Sequence, residues 1–302
     1  RPRSQESLAA TLRSAAARKD APDKAMAAVG ALRRHELLRI VLGDLTGTFA
    51  PDQVGAALAD LAGATIEAAL DVATRVVGAR SADGVLVDVL VVGMGSLGGR
   101  ELGYGSDADV MIVHRPRDGV SEEAAHRQGV AVVQELVRLV AATAPDAVLL
   151  DADLRPEGKN GPLSRSLASY AVYYERWALT WEFQALLRGR PIAGDRALWE
   201  DFAALIDPLR YPAAGLNPTQ IREIRTMKAR VESERLPRGA DPRTHLKLGR
   251  GGLTDVEWTV QLLQLRHAHA VPGLRTPGTL AGLQAATEAG LVGAEDSETL
   301  AT

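Results

Sequence analysis

The chain of 302 residues contains no cysteine. A disulfide framework and a thiolate metal site are therefore both excluded. It has no apolar run long enough to span a bilayer and no visible signal peptide, so a membrane role is not expected and a cytoplasmic location is. It lacks any strong charge bias: net charge is -3 and the sequence pI about 6.1. Non-specific binding to nucleic acid is disfavoured by that balance, though a local basic patch remains open. Internal repeats and low-complexity segments are absent. What is present is ordinary for a soluble globular protein, 46% hydrophobic and 24% charged, with enough residues for two domains and a sizeable core. The chain begins Arg1-Pro2 and stops at Leu300-Ala301-Thr302, which reads as a piece of a longer protein.

The densest chemical information lies in Val91 to His114, VVGMGSLGGRELGYGSDADVMIVH. A buried-type strand runs into a Gly-Ser turn. A glycine-rich stretch too broken for a long helix follows, and then Asp-Ala-Asp enters a second strand. Side chains alternate along a strand, so Asp107 and Asp109 are expected on one face. Two carboxylates just beyond a Gly-Ser loop suit a divalent metal holding a nucleoside triphosphate. Backbone amides around Gly95 and Ser96 are placed to cradle phosphate oxygens, because glycine allows close approach. A third carboxylate is expected on a neighbouring strand, and LLDADLRP offers Asp151 and Asp153.

Two competing readings apply to the same stretch. Gly93, Gly95 and Gly98 spell G-x-G-x-x-G after a strand, the dinucleotide-binding fingerprint. That fingerprint needs a helix after its third glycine and a second strand ending in an acidic residue. Here Gly99, Gly103 and Gly105 interrupt the helix, and the acids precede the second strand. The other alternative is a turn, since Asp is favoured in turns. A turn explains Asp107 and Asp109 alone, but not the Gly-Ser turn, the ten-residue spacing from Ser96 to Asp107 and the third acidic strand together.

Around this centre the pattern is mostly helical. Residues 1 to about 80 read as helix, with a break at Phe49-Ala50 and a helix start at Pro51-Asp52. A strand is expected at 84–92, an amphipathic helix capped by Ser121 at 121–144, and a third strand leading into Asp151. A long helix over 166–189 carries Tyr170, Tyr173, Tyr174, Trp177 and Trp181, a stripe that reads as core before it reads as a base-stacking platform. A turn-rich connector is expected at 206–217. Asn217, Pro218 and Gln220 then open a helix, and Thr254 to Glu257 are expected to form the capping box of the next one, through His269. The expected domains are a helical segment at 1–80, a catalytic domain at 81–200 and a helical domain at 201–302.

Basic residues near the third strand are less specific. Arg155, Lys159, Arg165, Arg188 and Arg190 suit phosphates or the carboxylates, with a structural ion pair as the equal alternative. His267 and His269 are explained by a helix C-terminus. Residues 218–250 hold nine Lys and Arg against four acids. Acids interleave along the helix, but the loop from Pro237 to Gly252 has Arg238, Arg243, Lys247 and Arg250 with one acid. Such a loop is suited to an acidic protein surface or to nucleotide phosphates.

Strand, Gly-Ser turn and Asp-x-Asp resemble the nucleotidyltransferase superfamily. More narrowly, GMGSLGGRELGYGSDADV, LRPEGKNGPLSRSLASYAVYYERWALTWEFQALLRGRPIAGD and KLGRGGLTDVEWTVQLLQLRHAH resemble glutamine synthetase adenylyltransferases, over about 91–195 and 245–269. The resemblance implies an α+β nucleotidyltransferase fold, a small mixed sheet with helices, flanked by helical segments and followed by a helical-bundle domain. It implies transfer of AMP from ATP, with two magnesium ions, onto a tyrosine of glutamine synthetase. It further implies regulation by a PII-type signalling protein and by glutamine.

By that resemblance Asp107, Asp109 and Asp151 are the metal-binding and catalytic carboxylates. Gly95, Ser96, Ser106, Arg155, Lys159 and Arg188 stand as the nucleotide-binding set. Asp153 departs from the family, which usually has a different residue between Asp151 and the Arg-Pro pair. GGLTDVEW resembles the adenylylating half of these bifunctional enzymes more than the phosphorolytic half. Removal of AMP by phosphorolysis, and a non-catalytic regulatory module, remain as alternatives.

Overall fold

The computed structural model describes residues 1–301. The chain divides into two units, Arg1–Arg176 with Gly189–Phe202, and Trp177–Arg188 with the chain from Ala203 on.

The first unit opens with three helices, α1 (Gln5–Ala17), α2 (Pro22–Leu45) and α3 (Pro51–Ala79). Their starts follow local chemistry. Ser7 N–H donates to Ser4 Oγ at 3.3 Å, and Pro22 and Pro51 occupy first turns, where no amide donor is needed. Ala50 N–H donates to Gln53 Oε1 at 3.1 Å. Helix α3 is alanine-rich and buried nearly all round, as befits a helix enclosed by its neighbours α1 and α2.

The sheet has five strands: β1 (Val87–Gly93), β2 (Ala108–Pro116), β3 (Leu150–Asp151), β4 (Arg165–Ser166) and β5 (Arg190–Gly194). Strand β1 pairs antiparallel with β2 and with β5, while β3 and β4 pair parallel with β2 along its other side. The antiparallel β1–β2 hairpin removes the dinucleotide reading, which requires parallel neighbours joined by a crossover helix. Between these strands the glycine-rich stretch forms only the one-turn helix α4 (Gly95–Gly98).

Val87, Val89, Val91, Ala108, Val110 and Ile112 alternate onto the sheet face that joins the core of α3 and of α5 (Glu122–Ala141). Ser121 caps α5 as expected, accepting from Ala124 N–H at 3.3 Å. The alternate residues, Asp109, Met111 and Val113, lie on the opposite face. Gly194, at φ +100°, ends β5 where a Cβ would overlap the Val89 carbonyl, and Leu198 N–H then donates to Asp195 Oδ1 at 2.6 Å to start α8 (Arg196–Arg210).

Two expectations are corrected here, and one element appears that the sequence did not announce. The helix over 166–189 is two, α6 (Leu167–Arg176) and α7 (Thr180–Leu186). The break occurs because Leu179 N–H donates to Glu182 Oε2 at 2.7 Å, a new helix start. Tyr170 and Tyr174 are buried core, but Trp177 at the break is 69% exposed. Second, β5 was hidden by its Pro and Gly, which an edge strand tolerates. Third, α8 runs into the expected connector, because Leu198, Phe202 and Ile206 are all buried at four-residue spacing.

The second unit contains α7, α9 (Pro218–Glu234), α10 (Leu253–His267), α11 (Thr279–Glu288) and α12 (Ala294–Ala301) around Leu187, Tyr211, Ile224, Leu265, Leu274 and Ala286. Asn217 opens α9 as expected: its Oδ1 accepts from Thr219 and Gln220 N–H, and Asn217 N–H donates to Gln220 Oε1 at 3.0 Å. The expected capping box at Thr254 is not formed, since Thr254 is buried inside α10. Asp255 does the work instead, accepting from Gly251 N–H at 2.7 Å and pairing with Lys228 of α9.

His114 lies inside the first unit, fully buried, with Nδ1 2.7 Å from Ser164 Oγ. Its Nε2 has no partner among the described residues, and the His126 ring centroid is 5.5 Å away. Burial, and secondarily His126, lower its pKa from 6.5 to about 4. The unfolded chain therefore takes up a proton that the folded chain refuses between these values. Stability contributed by neutral His114 is complete above pH 6.5 and is lost as pH falls toward 4, by about 3 kcal/mol on the scale of the shift. Denaturant titrations from pH 7 to 4.5 should show a steeper loss in the native chain than in His114→Asn. Parallel curves for the two proteins would count against it.

Candidate functional site

The antiparallel hairpin brings the end of β1 beside the start of β2. Met94 N–H donates to Asp109 O at 2.8 Å, so the Gly-Ser turn is tied by backbone to the residue that carries a carboxylate. Gly95 then takes φ +49° and passes so near that side chain that a Cβ would overlap Asp109 Oδ2 and lie 3.0 Å from Asp109 Cγ. Only glycine satisfies both the positive φ and the contact. Ser96 follows, half-buried, and its carbonyl accepts from Glu101 N–H at 2.8 Å. Ser106 is exposed and its N–H donates to Gly103 O at 3.3 Å.

The third carboxylate arrives through β3. Ala108 N–H donates to Leu149 O at 2.7 Å, and the parallel register sets Ala108 opposite Leu150 and Asp109 opposite Asp151. Directly opposed residues of a pair share a face, so Asp109 and Asp151 lie side by side. Asp107, exposed and immediately before β2, falls on the same side by alternation. Asp153 does not. The strand ends at Asp151, and Asp153 N–H donates to Asp151 Oδ1 at 2.7 Å in the turn beyond. Of the two acids that the sequence offers for this position, only Asp151 therefore lies in the strand. Asp153 instead faces Lys159 at 3.3 Å and Arg155 at 3.8 Å.

The basic residues separate by role. Arg155 is buried and stitches its own loop, with Nε donating to Gly161 O at 3.0 Å and Nη1 to Ala152 O at 2.7 Å. Lys159 is 82% exposed on that loop. Arg165 pairs with Glu157. Arg188 belongs to the second unit, 5% exposed, and donates to Pro277 O at 2.7 Å and Thr279 Oγ1 at 2.6 Å, with Glu257 at 3.5 Å. The acidic cluster and Arg188 are thus not brought together within one unit.

Residues outside the glycine-rich motif also reach it. Arg100, at φ +59°, donates to Asp60 of α3 at 2.7 Å, and Tyr104 OH donates to Asp44 of α2 at 2.9 Å. Desolvation, and then Asp44, push the Tyr104 phenol up to about 12. The signal for Asp60 was a lone carboxylate inside the apolar run AALADLAGAT.

The donors are hard carboxylate oxygens, which suit magnesium or calcium rather than a soft metal. Among the described residues no three His, Asp or Glu side chains converge closely enough to cage an ion unaided. An open acidic rim of this kind fits magnesium, which commonly takes one or two carboxylates and completes its shell with water and substrate phosphates.

A small mixed sheet, a Gly-Ser turn seated on one strand carboxylate and a second carboxylate opposite it define the class: a nucleotidyltransferase-type α+β domain with helical segments. The family model for glutamate-ammonia ligase adenylyltransferase matches residues 1–205, and that for GlnD PII-uridylyltransferase matches 225–302. The chain belongs to the glutamate-ammonia ligase adenylyltransferase family. It is 49% identical to a bifunctional glutamine synthetase adenylyltransferase/adenylyl-removing enzyme of Streptomyces coelicolor, across 99% of this chain and 31% of that protein. The proteins of the same description from Nocardia farcinica and Mycobacterium tuberculosis are 51% and 50% identical, across 96% and 91% of this chain and 29% and 28% of theirs. The chain therefore spans about three tenths of the length of these relatives.

The Gly95–Asp109 contact has a measurable signature. Gly95→Ala should destabilise the chain by at least the 1–2 kcal/mol that a left-handed conformation costs a side chain. In an Asp109→Ala background the overlap is relieved, so the same change should cost roughly 0.5–1 kcal/mol less. A double-mutant cycle in urea measures this, and strict additivity would show that the two residues do not touch.

Proposed function

We propose that this chain is an adenylylating catalytic portion of a glutamine synthetase adenylyltransferase, moving AMP from ATP to a tyrosine of glutamine synthetase. The observation that carries the reading is the Asp109–Asp151 register with Gly95 folded against Asp109. In this reading Asp107, Asp109 and Asp151 hold two magnesium ions, and the backbone at Gly95 and Ser96, with Ser106 and Lys159, borders the triphosphate. Bound magnesium supplies charge neutralisation at the phosphates and favours ionisation of the attacking hydroxyl. Arg155 shapes the loop that carries Lys159. Arg188, committed to the second unit's scaffold, is not assigned to the nucleotide.

A tyrosine phenol has a pKa near 10 and is a poor nucleophile at neutral pH. Asp151, held in place by the Asp153 amide, is the candidate base that accepts the phenolic proton. The phenolic oxygen bonds to the α-phosphorus as the bond to the bridging oxygen breaks and pyrophosphate leaves. The work of the chain is alignment and charge stabilisation. The helical segment 1–80 braces the catalytic domain 81–200, and 201–302 faces partners. The match of 225–302 to the PII-uridylyltransferase model supports a link to PII-type signalling; glutamine as effector is part of the same proposal. No helix among the described residues is long and apolar enough to cross a membrane, and the reaction is proposed for the cytoplasm.

The relatives' description as bifunctional keeps removal of AMP as a second reading of the same site. Incubation with glutamine synthetase, labelled ATP and magnesium, with and without phosphate and pre-modified target, separates the two. Label should enter the target without phosphate; release of label only from modified target, and only with phosphate, would reverse the assignment.

Asp107→Asn, Asp109→Asn and Asp151→Asn should each remove most transfer activity while the melting temperature stays near that of the native chain, because like charges gathered at an open rim repel. Asp153→Asn should retain activity. An inactive Asp153→Asn beside an active Asp151→Asn would exchange their roles.

The loop 237–252 is folded by its own turns, with Gly249 N–H donating to His245 O at 2.7 Å and Leu253 N–H to Leu246 O at 2.9 Å. Arg243 is bound to Asp241 at 3.0 Å, while Arg238 and Lys247 are exposed, as is Leu246 at 84%. We assign this loop to the acidic surface of a partner protein. Charge reversal at Arg238 and Lys247 should weaken association with glutamine synthetase, more so at low salt than at high, and leave magnesium-ATP affinity unchanged. Loss of ATP affinity with intact target binding would move the loop into the catalytic site.

A further inference from the structure

Behind the Gly-Ser turn, on the sheet face opposite Asp109, one half-buried guanidinium holds the far end of the turn. Arg190, at the start of β5, donates from Nη2 to Leu97 O at 3.2 Å and from Nε to Gly98 O at 3.2 Å. Its Nη1 donates to Gln5 Oε1 at 3.0 Å, and Gln5 Nε2 donates to Ile192 O at 2.7 Å. Gln5 is itself fixed, because it packs on Gly63 of α3, where a Cβ would lie 2.7 Å from Gln5 Cδ. Asp60, 4% exposed and one turn earlier on α3, is the nearby counter-charge, and it also holds Arg100.

The turn needs such a hold. Gly93, Gly95, Gly98 and Gly99 give it little stiffness of its own, and α4 is a single turn. Its position against Asp109 is set at one end by the Met94 amide. At the other end the carbonyls of Leu97 and Gly98 are the points that a neighbour grips, and Arg190 reaches both with one rigid planar group. A lysine at the same place has one charged atom and loses one of the two carbonyls or the Gln5 contact.

We infer that Arg190, oriented by Gln5, is a positioning residue that fixes the Leu97–Gly98 end of the turn, keeps Gly95 seated against the Asp109 carboxylate, and so sets the affinity of the site for the triphosphate of a nucleotide. This rests on the nucleotidyl-transfer reading above. It adds to that reading two residues that touch neither nucleotide nor metal, one of them from the first turn of the chain's first helix.

The test is calorimetric titration of the 302-residue chain with magnesium-ATP, alongside its melting temperature, for the native sequence, Arg190→Ala, Arg190→Lys and Gln5→Ala. Titrations run below the melting transition, so that only folded protein is counted. Arg190→Ala should weaken binding by roughly tenfold or more, with smaller losses in Arg190→Lys and Gln5→Ala. Millimolar guanidinium should recover part of the affinity of Arg190→Ala and none of that of Gln5→Ala. If Arg190→Ala is unfolded, the graded pair Arg190→Lys and Gln5→Ala decides the matter. Lower melting temperatures with native affinity in the folded variants would make Arg190 a purely structural residue and overturn the inference, leaving the functional reading intact. Absence of magnesium-ATP binding by the native chain would remove the functional reading and the inference together.

Discussion

The site depends on one close approach, the backbone of Gly95 against the carboxylate of Asp109. Everything around it is arranged to make that approach possible. The antiparallel β1–β2 pair delivers the two residues to the same end of the sheet, and the Met94 amide closes the turn onto the Asp109 carbonyl. A positive φ at residue 95, open to glycine at little cost, turns the chain there. A carboxylate and a backbone turn held this near each other form a pre-arranged corner, and pre-arrangement is what a reaction limited by alignment and charge requires.

A corner made largely of glycine has to borrow rigidity. The first unit supplies it from helices far away in sequence. Small residues along α3 let neighbours come close: Gly63 admits the Gln5 amide, and Gly55 lies against the backbone of Arg100 and Glu101. Asp60 and Asp44 then hold side chains of the loop between the turn and Asp107. These polar contacts sit at the margin of an apolar core that includes α3, α5 and one face of the sheet. The core sets the distance between layers, and the few buried polar groups set which loop conformation is kept, because an unpaired buried polar group costs about 1–3 kcal/mol. The N-terminal helices therefore do more than cover the sheet.

Much of this was legible in the sequence where the signal is local. The strand before the turn, the helix capped by Ser121 and the helix capped by Asn217 follow from periodicity and capping chemistry, and each forms where those rules place it. The α+β class follows from the same pattern. What was not legible depends on partners distant in the chain. The helix over 166–189 breaks because Glu182 bonds backward to Leu179, a choice that the aromatic spacing conceals. Strand β5 exists because β1 has a free side to pair with, and its Pro191 argues against a strand until its place at the edge is known. Asp255 caps by way of Gly251 and Lys228, so the carboxylate was noticed but its route was not.

The three arginines 155, 188 and 190 make the same argument at the scale of single residues. All follow the acidic strand in the chain, all are long cations, and composition offers no way to rank them. The structure separates them by the carbonyls within reach. Arg155 finds those of its own loop, Arg188 finds Pro277 in the second unit, and Arg190 finds the C-terminal end of a one-turn helix. A guanidinium near a glycine-rich turn is therefore not by itself a phosphate ligand. Where its donors are committed to protein oxygens, as those of Arg190 are, what it fixes is the shape of the turn.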